Sequence, residues 1–415
     1  MITSFSTALS ALNADSTAID VVGNNLANLN TPGFKTSVVS FHDLVTQSLG
    51  AGLDETQVGF GVARPITLQE FTQGAIQTTS APLDAMVQGD GFFVVQASNG
   101  AQEFTRSGNF ETDKSGNLLT ATGQTLQGWV AGPNGVLNTN SPIGNIQIPV
   151  GTLQAPVATQ NVSLNLNLNA GGVLATATGT YSTGIQVYDS LGEAHTLTFT
   201  YTQSTTPGQW NYSISVPNSD VSSPFTPVTG TLTFDSNGNL TSPAATDPSP
   251  TIAVTGLADG ASDMNVNWNL YNGTTPEVTQ FDQPSAVASL AQDGSATATL
   301  QSVAIGNGGQ ILAQYSNGHQ AVAGQLALAT IRNPDSLIAV GNSNFQTSAE
   351  TALPAIGVPG TGGRGTVLGG AVEASTVDIA TEFTNLIVFQ RGYEAASKVI
   401  TTADQISQDT INLKQ

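Results

Sequence analysis

Apolar residues recur every seven positions at both ends of this chain. Near the start, Phe5, Leu12, Ile19 and Leu26 form one row, and Leu9 and Val22 extend the same stripe. Near the end, Ile379, Leu386, Tyr393 and Ile400 form another, with Phe389, Ala396 and Ala403 as a second row and Phe383 broadening it. A period of seven marks a narrow seam that faces another helix. In the first segment the alternate seam positions are weak (Asp15, Ser16, Gly23), so a stable two-stranded coil is not implied. A lone amphipathic helix is marginal in water, because nucleation is costly and its stripe stays exposed. The stripes therefore predict a helix pair that completes its core in an assembly. The alternative is two terminal helices docked on the rest of a monomer.

The first helix runs into NNLANLNTPGFK, residues 24–35. Pro32 and Gly33 end it, since proline cannot continue a helix and glycine relieves the turn. In the frame set by Phe5 and Leu26, Asn24, Asn25 and Asn28 lie off the seam. Their amides are expected to bond the orphan carbonyls at the helix end or a neighbouring subunit. Asn28 or Asn30 is expected to take the left-handed conformation that closes the helix. At the other end, Ser375 or Thr376 is the expected cap, with Asp378 in the first turn and Lys414 in the last, both favourable to the helix dipole.

Between these ends the chain reads as strand and turn. Segments such as DGFFVVQ, HTLTFTYTQ and WNYSISV are short, β-branched or aromatic, and bounded by Gly, Asn, Asp or Pro. NFETDKSGNLLT (109–120) and LTFDSNGNLTS (232–242) share an Asp, two residues, then Gly-Asn-Leu, which reads as a hairpin turn with Gly at positive φ. Trp129, Trp210 and Trp268 each sit in a strand-like context that favours core packing. The fold class is mainly β with terminal α-helices.

Composition excludes several functions. Only nine Lys and Arg are present, none between Lys114 and Arg332, against a formal net charge of −20. A nucleic-acid or anionic-membrane surface needs clustered cations. There is no cysteine, which removes disulfides and thiolate chemistry. GTGGRG (360–365) has the letters of a dinucleotide loop but follows Pro354 and Pro359, with the next helix about ten residues on; it reads as linker. Asp189, Glu193 and His195 read as a tight turn ahead of a metal site. No catalytic, cofactor or metal set is expected, and an enzyme is not. No apolar run approaches the ~18 residues of a membrane span. The start lacks the basic residues of a secretory signal, so the chain is expected to stay in the cytoplasm or to leave without a cleaved signal.

Both ends resemble a known family. SALNADSTAIDVVGNNLANLNTPGFK (10–35) and EASTVDIATEFTNLIVFQRGYEAASKVITTADQI (373–406) are similar to the terminal signatures of the bacterial flagellar rod and hook proteins. VQGDGFFVV (87–95) and FTRSGNFETDKSGNLLTATGQTLQGW (104–129) look like that family's first core β region. Rod subunits are much shorter; the additional stretch with VYDSLGEAHTLTFTY resembles the outer domain of the hook branch, which is the better match. A distal-rod subunit is the alternative, and a secreted β-rich adhesin a distant one.

The resemblance implies a structural subunit that polymerises into the hollow, curved hook, a universal joint passing torque from rod to filament. Residues 1–30 and 375–415 would form an inner helical domain, and 31–70 with 346–374 connecting segments. Residues 71–147 with 286–345 would form a β-rich core domain, and 148–285 an outer β domain. The implied partners are other copies, rod, hook-cap and hook–filament junction proteins, and the flagellar type III export apparatus. No cofactor is implied, nor membrane insertion. The location would be the extracellular hook of the basal body, reached without signal cleavage. Phe41 and Val45 fit the family's Phe-x-x-x-hydrophobic export motif.

Overall fold

The computed structural model describes residues 2–412 except 45, 50–55, 133–135, 152 and 172–178. The chain divides into unit 1 (Met1–Val150, Ser302–Gln314, Gln320–Gln415) and unit 2 (Gly151–Gln301, Tyr315–His319).

Unit 1 joins a helix pair to β structure. The helices are α1, Ile2–Ala27, and α2, Ile379–Asn412. They pack on each other, as the fold class requires. The central strand Phe92–Gln96 carries a continuous apolar run, Phe92 to Val95, buried on both faces. It pairs antiparallel with Gln102–Thr105 on one side, Phe93 opposite Thr105, and with Leu328–Thr330, Phe93 opposite Leu328. Phe92, Val94, Phe104, Trp129 and Phe345 form a core. Phe71 closes it, its ring 5.5 Å from Phe92 and 5.1 Å from Phe345, both edge-on.

Unit 2 is built from two five-stranded sheets. One is an antiparallel meander of Thr180–Tyr188, Ala194–Gln203, Gln209–Ser215, Val228–Phe234 and Leu240–Ser242. The other centres on Asn161–Asn169, whose alternation sends Val162, Leu164, Leu166 and Leu168 inward and asparagines outward. Both sheets feed one core, with Trp268 at its middle: Phe199 and Tyr212 each stand 5.1 Å away, edge-on. Trp129, Trp210 and Trp268 are all buried, as the strand context predicts.

The two similar stretches adopt the same turn. Asp113 Oδ1 accepts the amides of Ser115 and Asn117, each at 2.8 Å. Asp235 Oδ1 accepts those of Asn237 and Asn239, also at 2.8 Å. Gly116 and Gly238 take φ of +83° and +79°, the conformation glycine adopts without steric cost. The 360–365 stretch is a turn between strands Ala355–Gly357 and Thr366–Gly369, closed by the Gly360 amide on the Gly365 carbonyl at 2.8 Å.

Candidate assembly face and helix-to-strand junction

The helix pair is antiparallel and meets through small side chains. Asn25 reaches Glu382, Asp15 abuts Gly392, and Ala8 and Ala396 share one groove. The buried row of α1 is Ala8, Ala14, Ala18, Val22 and Asn25. A side chain on Gly392 would come within 2.7 Å of Asp15 Oδ2. Burial here pushes the Asp15 carboxyl up from its ordinary range.

The seven-residue rows lie beside this contact. Phe5 and Leu9 are 45% and 43% exposed, while Leu12, Ile19 and Leu26 are half-buried. On α2, Ile379, Phe383 and Tyr393 are exposed, together with Ile387 and Val388, each at 58%; Leu386 and Ile400 are half-buried. Alanines let the two backbones approach closely, so the larger side chains are displaced to the flanks. A groove of about 540 Å³ lined by Ala8, Ala11, Ala395 and Val399 is left between the helices. The paired helices thus leave a contiguous apolar surface uncovered.

α1 ends as its sequence requires, with one substitution of roles. Asn28 Nδ2 donates to the Asn24 carbonyl at 2.9 Å, the helix-end bond expected. The left-handed residue that redirects the chain is Gly33, at φ +71°, not Asn28 or Asn30. Asparagine pays a strain there that glycine does not. Pro32 is half-buried ahead of it. The Gly33 amide donates to the Glu373 carbonyl at 2.8 Å, and a Cβ would fall 2.5 Å from the Arg106 carbonyl carbon. Gly33→Ala is therefore expected to destabilise unit 1 by at least ~1–3 kcal/mol, read as a lower midpoint in urea unfolding.

Asn25, expected off the seam, instead faces α2 and ties the elements together, because its amide bonds groups on two other elements at once. It is 1% exposed. Its Nδ2 donates to the Ser37 carbonyl at 2.8 Å and to Glu382 Oε1 at 3.0 Å, and its Oδ1 accepts the Ser37 amide at 3.1 Å. Burial raises the Glu382 carboxyl above its ordinary range. The cap of α2 is Asp378, whose Oδ1 accepts the Ala380 amide at 2.8 Å. Ser375 and Thr376 do not cap it. Thr376 Oγ1 instead accepts the Thr36 amide at 2.9 Å, joining the two connecting segments.

Beneath that join lies a buried ion cluster. Glu373 Oε1 sits 2.6 Å from Lys35 Nζ, and its Oε2 sits 3.4 Å from Arg106 Nη1; all three side chains are within a few per cent of full burial. Glu373 Oε1 also accepts the Gly74 amide at 2.7 Å. Lys35 Nζ donates to the Thr72 carbonyl, and Arg106 Nη2 to the Gly89 carbonyl at 2.9 Å. The Arg106 guanidinium lies 5.1 Å from the Phe92 ring centre. Burial lowers both basic pKa values, and Glu373 opposes that shift at each. One carboxylate thus pins the incoming segment, the outgoing segment and the β core.

Sequence reasoning did not single out Lys35, Arg106 or Glu373. The available signal was scarcity: charged residues are 9% of the chain, and these three all lie within the quoted motifs. Phe41 is exposed, its ring 5.9 Å from Phe389; Val45 lies outside the described residues. Among the described residues, no helix is long and apolar enough to cross a membrane.

Comparison with known proteins places these features in context. Four family models match along the chain: flagella basal body rod protein (5–35), flagellar hook protein FlgE/F/G D1 domain (86–165), flagellar basal body protein FlaE D2 domain (167–295) and flagellar basal body rod FlgEFG protein C-terminal (368–413). The flagellar hook protein FlgE of Borreliella burgdorferi is 32% identical over the whole of both chains. That of Escherichia coli K12 is also 32% identical, covering 99% of this chain and all of the relative. The crystal structure of Helicobacter pylori flagellar hook protein FlgE2 has a TM-score of 0.52 at 14% identity, covering 70% of this chain and 98% of that one, a likeness of fold. The hook relatives extend through unit 2 as well as the terminal helices, which decides between the hook and rod alternatives: the chain belongs to the flagellar hook protein FlgE family.

Proposed function

We propose that this chain is the self-assembling subunit of a hollow, curved hook that carries torque from rod to filament, a structural rather than catalytic role. The observation that carries the reading, beside the end-to-end kinship, is the apolar flank that the paired helices leave uncovered. Phe5, Leu9, Ile379, Phe383 and Tyr393 are the side chains we assign to contacts with neighbouring copies, and Leu12, Ile19, Leu26, Leu386 and Ile400 support them from the rim. Residues 1–30 and 375–415 form the inner domain of that tube in this reading. The segments 31–70 and 346–374 connect it to a core domain of 71–147 with 286–345 and an outer domain of 148–285. Asn24, Asn28, Pro32 and Gly33 mark where the chain leaves the inner domain. Surfaces rich in Ser, Thr, Asn and Gln suit sliding contacts, because water-mediated bonds exchange at little net cost.

The partners in this reading are rod, hook-cap and junction proteins, and the export apparatus, which passes the chain outward without a cleaved signal. Phe41 and Val45, at Phe-x-x-x-hydrophobic spacing, fit recognition by that apparatus before folding. Electron microscopy of the purified chain at high concentration tests the assembly: curved tubes are expected, and a variant lacking residues 1–30 and 375–415 should remain β-rich and monomeric. Only straight tubes would favour a rod role, and tubes from the truncated chain would remove the helices from the mechanism.

A further inference from the structure

Unit 2 contains ten Asp and Glu but no Lys or Arg, and His195 and His319 are its only basic side chains. His195 is 5% exposed. It lies near the start of strand Ala194–Gln203, just after the 189–192 turn. That turn is held by Asp189, whose Oδ1 accepts the amides of Leu191 at 2.8 Å and Glu193 at 3.0 Å. The turn expected from the sequence is therefore present. The fold also brings two carboxylates to it from far along the chain, which sequence spacing did not reveal.

Asp189 Oδ2 is 3.1 Å from His195 Nε2, and Asp220 Oδ2 is 3.2 Å from His195 Nδ1. Asp220 comes from the connection after strand Gln209–Ser215, and its Oδ1 accepts the Ser219 hydroxyl at 2.8 Å. Asp259, on the connection between Thr251–Val254 and Met264–Asn269, has its carboxylate within 4.8 Å of both Asp189 and His195. Glu193 is exposed in the turn itself, and nearby Asp263 is occupied with the Gly256 amide at 2.9 Å.

Ionised carboxylates only accept hydrogen bonds, whereas a neutral imidazole donates from one nitrogen alone. With a carboxylate oxygen against each nitrogen, both nitrogens must donate, and the ring must be cationic. A neutral ring would aim a lone pair at an oxyanion and leave three carboxylates crowded without a counter-charge. We propose that His195 is a proton-operated clamp: protonated, it binds the 189–192 turn to the connections bearing Asp220 and Asp259, and deprotonated it releases them.

Burial alone would lower the His195 pKa, but its bonds to Asp189 and Asp220 outweigh this and raise it. Burial likewise opposes ionisation of Asp189, but the bonds it accepts from His195 and the turn amides favour the carboxylate, and its pKa is lowered to about 2. A raised histidine pKa gives stability that is fully present below the unfolded value near ~6.5 and is lost as pH rises through the folded value. The clamp is closed below about pH 6.5 and opens as pH rises through the raised folded midpoint.

An imidazole NMR titration of the full-length chain tests this, with His195→Gln assigning the resonance. The His195 midpoint is expected above ~6.5, and Asp220→Asn, at a partly exposed position, should lower it. The unfolding temperature of unit 2 should fall by roughly 2–4 °C between about pH 6 and pH 9, and His195→Gln should flatten that dependence. A midpoint at or below the ordinary value, or one unmoved by Asp220→Asn, overturns the clamp. So does an unfolding temperature raised by added zinc ions and insensitive to pH, which would make the cluster a cation site.

Discussion

Replacing Glu373 with alanine should cost unit 1 about 3–5 kcal/mol, because removing one member of a buried ion cluster leaves its partners charged, desolvated and unpaired. Lys35 Nζ loses its contact at 2.6 Å, Arg106 loses its bond to the Glu373 carboxylate, and the Gly74 amide loses its acceptor. Against a typical total of ~5–15 kcal/mol for a folded protein, that loss is large. Denaturant unfolding followed by circular dichroism reads it directly. The apolar triple variant Lys35→Met, Arg106→Leu, Glu373→Leu should recover much of the loss, since it removes the stranded charges with the carboxylate. A loss below ~1 kcal/mol for the single variant would mean that water reaches the cluster and screens it.

The second large effect is on assembly. Leu9→Glu with Phe383→Glu places two charges on the uncovered helix flank, at side chains 43% and 51% exposed. The free subunit should be nearly indifferent, within about 0.5 kcal/mol, as ordinary surface substitutions are. In a polymer that covers this flank, each glutamate meets an apolar neighbour at a cost of several kcal/mol unless it is neutralised. Every 1.4 kcal/mol is tenfold in an equilibrium constant, so the concentration needed for tubes should rise by at least ~100-fold. Sedimentation and microscopy over a concentration series measure this. Tubes at the wild-type concentration would show that the flank faces solvent in the assembly.

The architecture was legible because its signals are local. Alternation in NVSLNLNLN and the Asp-x-x-Gly-Asn-Leu turns act within a few residues, and the structure follows both. The end of α1 at Pro32 and Gly33 was legible for the same reason. The α2 cap was misplaced by two or three residues, because Thr376 spends its hydroxyl on Thr36, 340 positions away. The face that each helix turns to its partner was hidden too. Periodicity weights large apolar residues, whereas the close crossing selects Ala14, Ala18 and Gly392. The Lys35–Glu373–Arg106 cluster and the carboxylates around His195 join residues far apart in the chain, and no spacing rule reaches them.

That alanine-lined crossing has a thermodynamic consequence. A buried methyl contributes only about 0.8 kcal/mol, well short of the 1.5–3 kcal/mol of a leucine or phenylalanine. The pair spends its large side chains outward, at Phe5, Phe383 and Val388. Mutual contact alone therefore orders the helices weakly, and the remaining order comes from whatever covers the flank. A neighbour that binds only the ordered pair stabilises it by mass action. In the proposed polymer, helix ordering and subunit addition become one cooperative step. Growth then follows a nucleation threshold: the tip templates the helices of each arriving subunit, while a dilute chain frays before it can start a tube.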